Sequence, residues 1–506
     1  MKLKKIAIFL FILVVGIGFL LSEEEGLKEV NKIPDLPGSN ESPSIAANLD
    51  GDIMIIYRNS NNGVAYYYKP HGSETWIGPD KIPNQTYPKS DYANIWWTDI
   101  EPTSDGVFHA FWSLRVHGGY YATFDPKTKK WSKPVKIALG YVESPMIVIN
   151  PVNDDIVLTW INRNGTAKNV FVKIKKHNDS KFGETRNISK FKYSATNEFA
   201  SFDEDGFLYI VYKQDKLNEA DDIMVKLALF NPEDDYSVDW LNELTWEYPG
   251  WHMLPSVAVA NKEGLISFAW YQKRKYYYQP FERKYNESKK KWEITFDNKN
   301  LENQVYAEAP RKPNFEYHSK VLRRGNDELL IIYKDTNFAI KMLKYKEGKF
   351  LNMDDPIDLC NDQPSAYTFD TYFAPNIGIL SAWFTREDEA SVYYSIYEYP
   401  IVSIKSAVNV KVEKKIERSF FYTKYINYIT WENNPYNIDH KINVVQYNLY
   451  RKLKGEPITQ YKKIAELSKD ETHYEDASEK ISSKFEYDYY VTCVDDKGKE
   501  SKIEEE

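Results

Sequence analysis

The chain has 506 residues, 42% of them hydrophobic and 15% aromatic, enough to bury large cores across two to four domains and enough to exclude a disordered chain. Its 40 tyrosines and 13 tryptophans against 22 glycines favour strands, since aromatic side chains suit a pleated, half-buried surface. A formal charge of -8 leaves no global basic field for a nucleic-acid backbone, so nucleic acid is excluded as a partner.

At the N-terminus, Lys2, Lys4 and Lys5 precede an apolar run from Ile6 to Leu21, followed by Ser22 and three glutamates. This is the pattern of an export signal with the N-terminus inside. No small-x-small cleavage site follows Leu21 and no cysteine stands nearby to take a lipid, so residues 1–25 are expected to remain as an uncleaved anchor. The expected location is the cell membrane, single-pass, with the bulk of the chain extracellular and the N-terminal transmembrane helix as its membrane contact. Six N-x-S/T sequons, starting at Asn40, Asn84, Asn164, Asn178, Asn187 and Asn286, suit a surface glycoprotein. The two cysteines, Cys360 and Cys493, are too few for a disulfide scaffold and read as buried free thiols.

Residues 27–400 repeat one unit seven times: a short extended run, a turn rich in Asp, Asn and Gly, and an apolar strand closing on an aromatic. The closing aromatics are Tyr57, Trp112, Trp160, Tyr212, Trp270, Tyr333 and Trp383, at intervals of 48 to 63 residues. Four short strands per period are what a propeller blade needs. The strand before each aromatic, such as Ile53-Met54-Ile55-Ile56, is apolar at successive positions, so both of its faces must be buried between neighbouring sheets. The seventh unit runs out after its third strand at Tyr399-Pro400. Val30-Asn31-Lys32-Ile33-Pro34 resembles the fourth strand of other units, as at Asp80-Lys81-Ile82-Pro83, and is expected to close the ring. The fold class is therefore all-β, a propeller of about seven blades.

These hairpins, with a Trp opening the fourth strand, resemble the sialidase-like, or BNR-repeat, β-propellers. Ser73-Glu74-Thr75-Trp76 is similar to the end of an Asp-box, whose fuller form is Ser-x-Asp-x-Gly-x-Thr-Trp. The resemblance implies a fold; for activity, a sialidase would add three arginines on one carboxylate and a Tyr-Glu nucleophile, a set the sequence does not select.

From Val402 the 50-residue period stops, and residues 402–506 resemble a fibronectin type III domain. Ile429-Thr430-Trp431 matches its early core strand, Tyr447 to Arg451 the next, and Tyr487 to Asp495 the late one, with Tyr487 or Tyr489 as the corner tyrosine. Tyr489, Val491 and Cys493 alternate onto one face, which places Cys493 in the core. The resemblance implies a spacer or protein-contact module.

Chemistry is sought where the repeats converge. A basic residue follows each closing aromatic at an offset of one or three: Arg58, Arg115, Arg163, Lys213, Lys273, Lys334 and Arg386. Together they would crown one mouth of the ring as a ligand site for an anionic glycan, or instead pair with carboxylates near the first strands such as Glu41, Glu143 and Glu198. Both readings stay open. For hydrolysis, Glu41, Asp91, Asp99, Glu143, Glu198 and Asp370 are candidate carboxylates with no motif to select a pair, so the catalytic residues are unknown. Trp96, Trp97, Trp251 and His252 could stack on sugars or simply pack. No metal or cofactor motif is present, and Asp203-Glu204-Asp205-Gly206 reads as a hairpin turn. The function expected is a cell-surface binding or adhesion protein for a glycan or envelope protein; the alternative is an extracellular glycoside hydrolase or lyase.

Overall fold

The protein is described here by a computed structural model. It describes residues 26–85, 95–114, 116–164, 167–189, 194–215, 223–244, 252–270, 274–296, 304–309, 319–325, 328–361, 366–385, 390–399, 404–435, 437, 442–478, 481–482, 484–495, 498 and 500–503. The chain divides into two compact units, with the boundary between Ile401 and Val402.

In the first unit the described residues form seven antiparallel sheets, six of which use strands in simple chain order. Blade 1 is Asn40–Ala47, Ile53–Asn59, Gly63–Lys69 and Ile77–Lys81. Blades 2 to 6 begin at Ile95–Pro102, Val142–Ile149, Ala195–Phe202, His252–Ala260 and Ser319–Arg324. Blade 7 takes Thr368–Ala374, Gly378–Thr385 and Ser391–Glu398 from one end of the unit and its outer strand, Gly26–Lys32, from the other. Val30 lies opposite Ser395 and Lys32 opposite Tyr393, so the ring closes where the sequence placed its closing strand. The innermost strand of blade 1 packs against those of both blade 2 and blade 7.

The doubly apolar second strands have a simple cause: each separates two cores. Met54 and Ile56 point into the core shared with blade 2, while Ile53, Ile55 and Tyr57 point into the one shared with blade 7. Interblade cores recur around the whole ring, and Trp112, Trp160 and Trp383, all closing aromatics, are fully buried in them. Each fully buried Ile, Leu or Val contributes roughly 1.5–3 kcal/mol.

The second unit has two three-stranded sheets: Val408–Arg418, Thr423–Glu432 and His473–Asp476 in one, Lys462–Ser468, Val444–Leu453 and Tyr487–Asp495 in the other. Ile429, Trp431, Tyr447, Val491 and Cys493 fill the space between. The Tyr489 hydroxyl donates to Asp476 at 2.8 Å and accepts from Asn427 at 2.8 Å. Both cysteines are buried free thiols, and burial pushes each up to about 12.

The expected single transmembrane helix is corrected, and the single-pass membrane location with it. No helix among the described residues is long and apolar enough to cross a membrane, and the segment on which that expectation rested lies outside them. The apolar content of the described chain is spent on strand cores. The 16-residue run itself, wound as a helix, would reach only about 24 Å against a hydrocarbon core of about 30 Å.

Candidate functional site

The innermost strands have one free edge facing the channel, and their unpaired N–H groups must find acceptors. Side chains from the preceding blade supply them. Asp370 accepts from the Ile45 N–H at 3.0 Å, Asp99 from Ile147 at 2.7 Å, Glu101 from Ile149 at 3.1 Å, and Ser256 from Val321 at 3.1 Å. Asp99 and Asp370 also share the Ser44 hydroxyl, at 3.1 and 2.6 Å. Lys320 closes the cluster with Nζ 2.6 Å from Asp370. Desolvation, reinforced by Asp370, pushes Asp99 up to about 7; desolvation, reinforced by Asp99, pushes Glu101 up to about 8. These neighbours raise the Lys320 ammonium against the opposing effect of its burial. The cluster forms the waist of the channel, bordering a cavity of about 660 Å³ at the end where the innermost strands start and one of about 460 Å³ at the other.

The larger cavity is shaped by a repeated irregularity. Five innermost strands slip register just after they start, between Glu41 and Ser44, Ile95 and Thr98, Glu143 and Met146, Thr196 and Phe199, and Met253 and Ser256. In four of them the backbone turns to positive φ, at Ser42 (50°), Ser144 (45°), Asn197 (54°) and Leu254 (50°), a conformation costing on the order of 1 kcal/mol for a non-glycine residue. The next residue is Pro43, Pro145 and Pro255 in blades 1, 3 and 5. Proline has no N–H to place in a ladder, so it suits a bulge. Blades 2 and 4 put Trp97 and Glu198 in that position instead, and both side chains line the cavity.

The candidate carboxylates now separate. Glu41 pairs with Arg58, its cross-strand neighbour, at 2.8 Å. Glu143 pairs with Lys168 at 2.6 Å and accepts a hydrogen bond from the Tyr141 hydroxyl. Asp99 and Asp370 tie blades together. Glu198 is 7% exposed, and neither carboxyl oxygen meets a hydrogen-bond partner in another of the described residues. Its burial, reinforced by Glu143 and opposed by its own backbone N–H and Lys168, holds its proton well above the usual carboxylate range.

Of the seven expected basic residues, Arg58 lines the cavity and is ion-paired. Arg163 is exposed, with its guanidinium 4.5 Å from the Tyr141 ring centre. Lys213 is half-buried opposite Thr196. Lys334 is fully buried and donates to the Tyr367 carbonyl at 2.7 Å. Arg115, Lys273 and Arg386 lie outside the described residues, as do Asp91, Trp251 and the side chains of Trp96 and His252. Among the sequons, Asn40 is buried, its side-chain oxygen bonded by Asn59 at 2.7 Å, whereas Asn84 and Asn178 are exposed. Asp203 caps its own hairpin turn through the Phe207 N–H and pairs with the buried Arg283 at 3.1 Å.

Sequence reasoning missed Lys168, Lys320 and the bulges. A signal existed: positions 43, 145 and 255 repeat proline at one point of the unit, and Trp97 and Glu198 are the departures from it.

The fold and the mouth define a β-propeller with a wide channel opening. No known protein family and no curated protein sequence matches the chain. Among solved structures it is similar to the BP39L lectin from Burkholderia pseudomallei, with a TM-score of 0.50, 10% identity, and 72% of this chain and 99% of that one covered. It is also similar to an ulvan lyase of polysaccharide lyase family 25 (TM-score 0.45, 9% identity, 72% and 95% covered) and to the polysaccharide lyase Uly1 (0.46, 8%, 73% and 92%). At such identities the lectin likeness is one of fold.

Proposed function

We propose that the protein binds carbohydrate at the channel mouth where the innermost strands start. The observation that carries this reading is the substitution of Trp97 and Glu198 into the bulge position that three other blades fill with proline. A half-buried indole and a hydrogen-bonding acid on one concave wall are the two contacts a sugar uses, an apolar ring face and a hydroxyl edge. Binding of the full chain to a glycan array tests it: Trp97→Ala and Glu198→Leu should each abolish the signal, and an array signal untouched by both would refute the site.

Hydrolysis is the second reading, because a buried Glu198 whose protonated form is favoured is what a general acid requires. It needs a second available carboxylate, and Glu41 and Glu143 are held by Arg58 and Lys168. Product release from any bound glycan would decide for it.

The propeller's sialidase-like character is supported by Trp76, which stands before the outer strand of blade 1 and stacks on Tyr67 at 4.4 Å. The second unit reads as a fibronectin type III-like spacer, supported by its 3 + 3 strand arrangement and the buried Trp431.

A further inference from the structure

We propose that the mouth takes an uncharged glycan rather than a carboxylated one, with the Glu198 carboxyl donating a hydrogen bond to a sugar oxygen. The inference rests on the reading of the mouth as a carbohydrate site and adds the class of sugar.

It follows first from what the cations of the wall are doing. Arg58 is taken by Glu41 at 2.8 Å and Lys320 by Asp370 at 2.6 Å. Lys168, the cation acting on Glu198, is taken by Glu143 at 2.6 Å. A ligand carboxylate would have to compete with Asp370 for Lys320 and with Glu143 for Lys168, and on Arg58 it would share the guanidinium with Glu41, so none of these cations offers it an undivided charge. The expected crown of free basic residues is therefore not what the described wall presents.

Glu198 supplies the second argument. A carboxyl that is 7% exposed, with neither oxygen bonded to another of the described residues, is an unmet hydrogen-bonding demand on the wall of a cavity of about 660 Å³. In its protonated form it is one donor and one acceptor, the complement of a sugar hydroxyl, which both donates and accepts. A ligand carboxylate placed against Glu198 offers it no donor and would stand close to Glu143 as well. A site whose buried polar group is satisfied only by a hydroxyl discriminates strongly against ligands lacking one there.

The charged groups around Glu198 are Glu143 and Lys168 from blade 3, with Glu41 and Arg58, Asp99, Lys320 and Asp370 on the same cavity wall. Because burial favours the protonated form of Glu198, affinity for an uncharged sugar should fall as pH rises through its elevated pKa.

The test uses the full chain with immobilised unsubstituted gluco-, galacto- and manno-oligosaccharides, and glucuronate, galacturonate and sialyl oligosaccharides as anionic probes. Expected are at least tenfold tighter binding of one uncharged series, at least tenfold loss in Glu198→Leu, and retention within about threefold in Glu198→Gln, whose amide donates at every pH. The glutamine variant should also lose the alkaline decline seen in the parent, a readout that a merely structural role for Glu198 would not move. Salt-sensitive preference for the anionic probes, still abolished by Trp97→Ala, would overturn the uncharged class while leaving the site in place. Carbohydrate binding indifferent to Trp97→Ala and to both Glu198 variants would overturn the site itself, and an array with no signal would overturn both.

Discussion

Removing the ammonium of Lys320 puts the waist of the channel to a quantitative test. In the native protein its Nζ lies 2.6 Å from Asp370 and offsets Asp99 and Glu101 as well, so Lys320→Met leaves three carboxyl groups facing one another with no cation. At an effective dielectric near 20, one such contact is worth on the order of 4 kcal/mol, and breaking a buried pair typically costs about 3–5 kcal/mol. The Lys320 and Asp370 side chains keep 19% and 16% exposure, which brings the expected loss to about 3 kcal/mol at pH 8. The sign with pH follows from linkage. Asp99 and Glu101 already titrate at about 7 and about 8, above their unfolded values, so the folded state holds protons that the unfolded chain releases, and stability falls as pH rises through that window. Without Lys320 both rise further and the fall steepens; at pH 5 Asp99 and Glu101 are largely protonated and the deficit should shrink to about 1 kcal/mol. Urea unfolding followed by tryptophan emission reads the propeller, since 12 of the 13 tryptophans precede residue 402. Lys320→Met/Asp370→Asn should recover part of the pH 8 loss. Equal losses at pH 5 and pH 8 would refute the charge argument and assign Lys320 a packing role.

Glu198→Gln should leave stability unchanged near pH 4 and raise it progressively above pH 5, because the parent's elevated pKa makes its stability fall with pH while glutamine does not titrate; parallel urea-midpoint profiles would contradict this. At Ser144, with φ of 45°, glycine should be tolerated within about 0.5 kcal/mol, whereas valine should cost about 2 kcal/mol, as measured by the same unfolding curves; a harmless valine would mean that the positive φ is not required. Residues 402–506, expressed alone, should show one cooperative thermal transition monitored by near-ultraviolet circular dichroism of Trp431; a broad, non-cooperative melt would misplace the boundary.

The sequence alone was sufficient for what depends on local pattern. The hairpin period, the second strands apolar on both faces and the likeness of Val30–Pro34 to other outer strands were enough to count seven sheets and to place the closing strand, because each blade repeats the same short-range demands on its residues. The N-terminal apolar run, by contrast, suggested a span that no described helix provides. The site was not legible in the same way. Glu41, Trp97 and Glu198 stand more than 40 residues apart in the chain and share one wall only because the ring brings the innermost strands together. Which of those carboxylates is unpaired was decided by register. The bulges set whether a side chain stays in register with a cross-strand partner, as Glu41 does with Arg58, or stands in the slip without one, as Glu198 does. Counting offsets from the closing aromatics could not see this, since a slip at a strand start changes what the next residues face without changing the sequence spacing.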